Sequence, residues 1–193
     1  DVALTRVGGD GDRVGDHGQG RGIVGAGDRD GRGLWRAATL AIEHFSIIEG
    51  TTWSAAHDRA GKRLAEKYPT VKYVFREEVG PDLAVPYAEE LISGMDVVID
   101  GLDHPEPRYI VNRVCNKLKI PYVFGAAIEA FGNASTILPG QTFCLECFMP
   151  GLKNEDLPVC GLVGVHPAVI GIVSSVQVSE AVRVLTGQKP KLY

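Results

Sequence analysis

The segment DVVIDGLDH, residues 96–104, decides the fold because an apolar run ends in a turn that carries carboxylates. The first five residues, DVVID, have the apolar and β-branched composition of a buried strand. Asp100 and Asp103 flank a Gly-Leu turn at its end. Two carboxylates there could hold Mg²⁺ together with the oxygens of a nucleotide. The competing interpretation is that both are turn residues, because aspartate readily accepts backbone hydrogen bonds in turns.

The segments around this stretch alternate between strand and helix patterns. Strands are predicted for VKYVF (71–75) and IPYVFGAA (120–127), and helices for YAEELISGM (87–95) and RYIVNRVCNKLK (108–119). Strand, helix and strand at this spacing indicate a parallel crossover, and ligands of open parallel sheets bind outside the carboxyl ends of the strands. The predicted fold is α/β, a mostly parallel sheet flanked by helices. ASTILPG and QTFCLECF (134–148) are predicted to form a later antiparallel strand pair.

Composition and charge exclude several classes of protein. With 193 residues and 45% apolar content, the chain is expected to form one globular domain. A net charge of −4 without a basic run gives no indication of nucleic-acid binding. The apolar segment 167–186 is interrupted by polar residues, so we predict a buried helix with Gly187 as C-cap rather than a membrane span. Without a recognisable export signal, the expected location is the cytoplasm.

The four cysteines suggest metal or thiol chemistry. Cys144 and Cys147 have the spacing that lets two thiolates bind one Zn²⁺, with Phe143 and Phe148 beside them. A closed structural site needs four ligands, so this is half a site. Cys160 precedes a glycine-rich stretch that predicts an irregular loop near a helix start, where a thiol is either reactive or an inert, half-buried residue.

The amino-terminal segment differs in composition from the rest. Residues 1–33 contain 11 of the 24 glycines. Two short runs, VALTRVGGDG with Gly8, Gly9 and Gly11 and RGIVGAGDRDG further on, resemble phosphate-binding glycine loops, in which amide groups approach phosphate oxygens without a Cβ in the way. A lone glycine motif is a weak signal.

Four segments taken together resemble the ThiF/MoeB/HesA family of adenylyltransferases, relatives of the ubiquitin-activating enzymes. They are DVVIDGLDHPEPRYIVNRVC, IPYVFGAAIEAFGNASTILPG, FCLECFMP and VCGLVGVHPAVIGIVSSVQVSEAVRVLTG. The resemblance is clear from about residue 71 onward and degraded over residues 1–60, and it implies a single nucleotide-binding domain over 1–193 with a Rossmann-like sheet. It also implies ATP and Mg²⁺ as cofactors, a homodimer, and adenylylation of the C-terminal glycine of a ubiquitin-like sulfur carrier that ends in Gly-Gly.

The resemblance assigns roles position by position. Asp103 matches the Mg²⁺–ATP aspartate, although His104 stands where the family commonly has Asn. The other residues assigned in this way are Arg108 (catalysis), Gly8, Gly9, Gly11 and Asn112 (nucleotide), Asp30 (ribose), Cys144 and Cys147 (zinc) and Cys160 (acyl or sulfur transfer).

Two other functions stay open at this point. One is a non-catalytic relative that binds a partner or carrier without ATP turnover, since the amino-terminal match is poor. The other is a nucleotide-binding oxidoreductase, because a parallel sheet alone does not define an activity. We also hypothesise that residues 5–50 are strongly diverged or translated from a disturbed reading frame. Sequencing the coding DNA without finding a clean alternative frame would remove the second explanation.

Overall fold

The computed structural model describes residues 2–7, 38–43, 50, 53–69, 71–76, 81–158 and 160–193. The strands are β1 (Val2–Val7), β2 (Ala38–Glu43), β3 (Val71–Arg76), β4 (Val97–Ile99), β5 (Tyr122–Ile128) and β6 (Phe131–Ile137). The helices are α1 (Trp53–Lys67), α2 (Pro81–Ile92), α3 (Pro105–Leu118), α4 (Leu145–Phe148), α5 (Cys160–Val163) and α6 (Pro167–Leu185), with a 3₁₀ turn at Asn154–Asp156.

Within the described residues, the six strands form one sheet in the order β3-β2-β1-β4-β5-β6. This is the strand order of dinucleotide-binding sheets. The pairs β2/β3 and β4/β5 are parallel, whereas β1/β2, β1/β4 and β5/β6 are antiparallel. The predicted α/β class with flanking helices is confirmed, but the sheet is mixed rather than mostly parallel.

The direction of β1 accounts for much of this difference. Its register with β4 pairs Ala3 with Ile99 and Thr5 with Val97, so β1 runs opposite to β4. Val7 therefore lies toward the edge where β4 begins, whereas Asp103 follows the edge where β4 ends. The glycines predicted to bind phosphate, Gly8, Gly9 and Gly11, lie outside the described residues, as does Asp30.

The later antiparallel pair exists, but it uses different residues from those predicted. β5 turns back into β6 with Tyr122 opposite Ile137 and Ile128 opposite Phe131. The tight turn is possible because Glu129 adopts a positive φ of 51°. The prediction that QTFCLECF forms the second strand is wrong. Its last four residues form the single turn α4 instead.

The core lies on both faces of the carboxyl-terminal half of the sheet. Successive residues of a strand point to opposite faces, and neighbours on β4 divide accordingly. Val98 packs with Tyr122 and Phe124 in the cluster that includes buried residues of α2, α3 and α4. Val97 packs with Val123 in the cluster that includes α6. Helices on both faces therefore hold the carboxyl edge of β4 and β5.

The prediction that residues 167–186 form a buried helix is wrong about burial. α6 has the predicted length, and Gly187 follows its end with a φ of 71°, as expected for a C-cap glycine. One face packs on β4, β5 and β6, but only 17% of its most apolar window is buried. Among the described residues, α6 is the one helix long and apolar enough to cross a membrane, which is weak evidence for a span.

Candidate functional site

The turn after β4 is fixed by a buried ion pair. The Asp100 carboxylate is fully buried and lies 2.9 Å from Nε of Arg108 in the first half of α3. Its other oxygen accepts a hydrogen bond of 2.8 Å from the backbone N–H of Leu102, which closes the turn. For Asp100 the structure therefore supports the interpretation as a turn residue, because its buried carboxylate bonds to Arg108 and to the backbone of Leu102.

Arg108 uses its remaining donors to hold the same turn. Nη2 donates to the carbonyl of Leu102 and, at 3.2 Å, to the carbonyl of Gly125 on β5. The guanidinium lies over the Phe124 ring, 5.5 Å from its centroid, and is 5% exposed. The role predicted for Arg108 in catalysis stays a prediction, and the contacts give this side chain a supporting position beneath the turn.

A glutamine from α6 completes the support, and sequence reasoning missed it. Gln177 is buried and donates to the carbonyls of Asp100 (2.8 Å) and Val123 (3.1 Å), where β4 and β5 separate. A Cβ on Gly125 would lie 2.4 Å from this amide, so only glycine leaves room for it. The available signal was a polar residue within an apolar helix, which indicates a buried hydrogen-bond partner.

Asp103 stands exposed on this supported turn. Its side chain is 63% exposed, and Oδ1 lies 2.7 Å from Nδ1 of His104. No cluster of three or more His, Cys, Asp or Glu that could hold a metal occurs in the described part of the chain. One exposed carboxylate suits Mg²⁺, which keeps several waters and is often held by one or two carboxylates and substrate phosphates.

The C-x-x-C segment, Cys144 to Cys147, packs against the second half of α3. Sγ of Cys144 and Sγ of Cys147 are 3.3 Å apart, with Cys144 at the N-cap of α4. Asn112, buried in α3, accepts a hydrogen bond of 3.1 Å from the backbone N–H of Leu145 and donates one of 3.2 Å to Glu146. Asn112 was predicted to bind nucleotide, a role that stays a prediction. Its contacts place it against the cysteine turn.

Hydrogen bonding favours the thiolate form of Cys144. Burial acts to raise the pKa of the Cys144 thiol, but hydrogen bonds from Cys147, the Glu146 backbone and Asn112 outweigh it and lower the pKa. Thiolates about 2.3 Å from a tetrahedral zinc lie about 3.8 Å apart, so a small side-chain rotation would admit the ion. The pair fits half of a zinc site.

The aromatic neighbours of the cysteines behave differently from each other. Phe143 is 80% exposed and shields nothing, whereas Phe148 packs edge-on against Phe124 at 5.8 Å between ring centroids. The rings of Phe148 and Phe124 thus connect the cysteine turn to the Arg108 guanidinium.

Cys160 begins a helix rather than lying in an irregular loop. The single turn α5 starts at this residue, and the predicted loop is confined to the residues before α6. That linker is attached to the β5–β6 turn, because Glu129 bonds to both Gly164 and His166 through its backbone. The linker therefore lies beyond the carboxyl end of β5, at the same edge of the sheet as Asp103.

Comparisons with known proteins place the chain in a family. The model of the ThiF family matches residues 57–193. The chain is similar to the SAMP-activating enzyme E1 of Haloferax volcanii, with 28% identity over 199 residues, 90% of this chain and 72% of that protein. It is also similar to the sulfur carrier protein ThiS adenylyltransferase of Bacillus subtilis, with 33% identity over 100 residues, 52% of this chain and 30% of that protein.

Solved structures agree on the fold. E. coli MccB crystallised with ATP superposes with a TM-score of 0.56 at 14% identity, over 79% of this chain and 49% of MccB. The chain thus spans about half of this structure and about a third of the B. subtilis relative. The predicted Rossmann-like class and the predicted family are confirmed, because the family model covers more than half of the chain. The chain belongs to the ThiF family.

Proposed function

We propose that the protein adenylylates the C-terminal glycine of a ubiquitin-like sulfur carrier, of the ThiS or MoaD type, at the expense of ATP. The observation that carries this proposal is the exposed Asp103 carboxylate on a turn held by the buried Asp100–Arg108 pair. A second support is the similarity to proteins named as a ThiS adenylyltransferase and a SAMP-activating enzyme.

The reaction needs positioning and charge neutralisation rather than a protein nucleophile. An oxygen of the carrier's terminal carboxylate attacks the α-phosphorus of ATP, the bond to the β-phosphate oxygen breaks, and pyrophosphate leaves with that electron pair. Mg²⁺, when bound, neutralises charge on the phosphates. Asp103 would hold this ion from the sheet edge, and Arg108 and Gln177 would keep the turn from moving as the ligands enter.

Two cysteine sites extend the proposal. Cys160, at the start of α5, would attack the carbonyl of the acyl adenylate as a thiolate and displace AMP, which leaves a thioester, or it would relay sulfane sulfur received from a persulfide donor. Cys144 and Cys147 would bind Zn²⁺ with two further ligands that the described residues do not supply.

A homodimer is part of the same proposal. Ile172, Val178 and Val182 on the outer face of α6 are 66%, 56% and 50% exposed. Apolar residues grouped on one helix face favour burial against another surface. A second copy of this chain, packed through α6, would provide it.

ATP–pyrophosphate exchange tests the function. We expect the protein to incorporate labelled pyrophosphate into ATP only when a carrier ending in Gly-Gly is present. Asp103→Ala should reduce exchange by more than about 100-fold, since removal of one charge-stabilising group typically costs this much. Glu155→Ala is the matched control, because Glu155 is an exposed carboxylate in a long weak contact with Lys153. Carrier-dependent exchange that survives in Asp103→Ala would contradict the assigned mechanism.

A non-catalytic relative is the second candidate, and one observation favours it. β1 runs antiparallel to β4, so its carboxyl end lies at the sheet edge opposite Asp103. The carboxyl ends of β1 and β4 are therefore not at one edge, as they are in a parallel nucleotide-binding sheet. The same experiment separates the two functions, because a non-catalytic relative would bind the carrier without exchange.

A further inference from the structure

His104 is placed to act on Asp103 rather than on its own helix. It is the N-cap residue of α3, with φ −125° and ψ 149°, yet its side chain makes no capping hydrogen bond. The ring is directed to Asp103 instead, with Nδ1 2.7 Å from Oδ1. The imidazole side chain is 38% exposed, so burial in the core does not account for its position.

The chemistry of the two groups fixes the direction of this bond. An ionised carboxylate only accepts hydrogen bonds, so the imidazole donates from Nδ1. The bond from His104 is to Oδ1 of Asp103 and not to Oδ2. An exposed aspartate side chain otherwise samples several rotamers, and binding a ligand in one of them costs side-chain conformational entropy. The contact with His104 reduces that cost in advance.

We propose that His104 is a positioning residue that holds the Asp103 carboxylate in the orientation that receives a nucleotide-bound divalent cation. This inference rests on the proposed function and names a further residue of the same site. His104 does not need to touch the nucleotide, since it acts through Asp103. The expected consequence is tighter binding of the metal–nucleotide complex, with a smaller effect on the chemical step.

Three substitutions separate hydrogen bonding from size. His104→Ala removes the ring, and His104→Phe keeps a planar ring without a donor. His104→Asn keeps a donor, because the amide Nδ2 is as many bonds from the backbone as Nδ1 of histidine. Mn²⁺ is the probe, measured by electron paramagnetic resonance in the presence of a non-hydrolysable ATP analogue. The midpoint of thermal unfolding should be the same in all four proteins, since the ring makes no capping bond.

The expected result is about 10-fold weaker Mn²⁺ binding in His104→Ala and His104→Phe, equivalent to about 1.4 kcal/mol. His104→Asn should stay within about threefold of the parent, as a neutral donor retains most of such a bond. In pyrophosphate exchange, the alanine variant should raise KM for Mg²⁺–ATP more than it lowers kcat. Parent-like Mn²⁺ binding by both donor-free variants overturns this inference alone. Failure of the parent to bind Mn²⁺ with the analogue overturns the proposed function and this inference with it.

Discussion

The two halves of α3 support two different loops by the same means. In the first half, buried Arg108 holds the turn that exposes Asp103; in the second half, buried Asn112 holds the turn that exposes Cys147. Both buried residues were predicted from the family resemblance to act on ligands, which stays a prediction, and the contacts that the structure shows for both are with protein groups. The comparison suggests that α3 is a scaffold whose buried polar side chains fix loops, while the exposed residues of those loops are available to ligands.

The largest expected contrast is between thiols of the cysteine turn and the thiol buried in α3. Burial, and then the charge of Asp100, raises the pKa of Cys115 to about 12 from an ordinary 9.0, whereas the pKa of Cys144 is lowered. Since the pKa of Cys144 lies below 9.0 and that of Cys115 is about 12, Cys144 carries at least about 1,000-fold more thiolate than Cys115 at pH 7.5. Iodoacetamide at pH 7.5 should therefore modify Cys144 far faster than Cys115, as site-resolved mass spectrometry would measure.

The pH dependence has a defined sign. The rate of alkylation of Cys144 should increase with pH and level off above its lowered pKa. Cys115 should stay protonated and unreactive at any pH well below its pKa of about 12. Added Zn²⁺ should protect Cys144 and Cys147 together if they bind it. Comparable alkylation rates at Cys115 and Cys144 in the folded protein would show that the contrast between scaffold and loop is wrong.

Removing the support of the first loop should have the next largest effect. Arg108→Leu leaves the Asp100 carboxylate buried without its cation, which should lower the free energy of unfolding by about 3–5 kcal/mol. Arg113→Leu, on the exposed side of α3, is the matched control. The Arg113 side chain in its ion pair with Glu146 is 67% exposed, so the expected loss is below about 1 kcal/mol. Urea unfolding measures both, and equal losses would refute a special role for the buried pair.

Removing the support of the second loop should cost less. Asn112→Ala leaves the backbone N–H of Leu145 without its acceptor, and an unsatisfied buried group costs about 1–3 kcal/mol. The comparison variant is Asn116→Ala, since Asn116 is only half-buried and donates to Asn112 from the same helix. Urea unfolding should rank Asn112→Ala as the more damaging change. The reverse order would place the support of the cysteine turn elsewhere.

Local patterns predicted the carboxyl-terminal half of the fold well. The strand at 97–99, the helix at 105–118 and the next strand followed from apolar periodicity, because each is a continuous element with one or two buried faces. Apolar periodicity does not identify the hydrogen-bond partner of a buried polar side chain. Gln177 and the Arg108–Asp100 pair depend on contacts between distant segments, which a linear pattern does not specify.

Two other differences have physical causes of the same kind. The segment QTFCLECF reads as a strand by composition, yet the bond between Asn112 and Leu145 holds its end as a helical turn. The antiparallel direction of β1 could not be predicted, because strand direction in a sheet is set by tertiary pairing and not by local sequence. The apolar composition of α6 indicated burial, whereas much of that helix is exposed in the single chain.

Calorimetric titration with ATP, with and without Mg²⁺, tests the central claim most directly, namely that Asp103 holds a nucleotide-bound metal at the carboxyl edge of β4. The parent should bind ATP more tightly with Mg²⁺ than in its absence, and Asp103→Asn should lose at least about 10-fold, or about 1.4 kcal/mol, of the Mg²⁺-dependent affinity. Because Asp103 is exposed, its substitution should leave unfolding unchanged. Asp103→Asn that binds Mg²⁺–ATP as tightly as the parent would contradict the account.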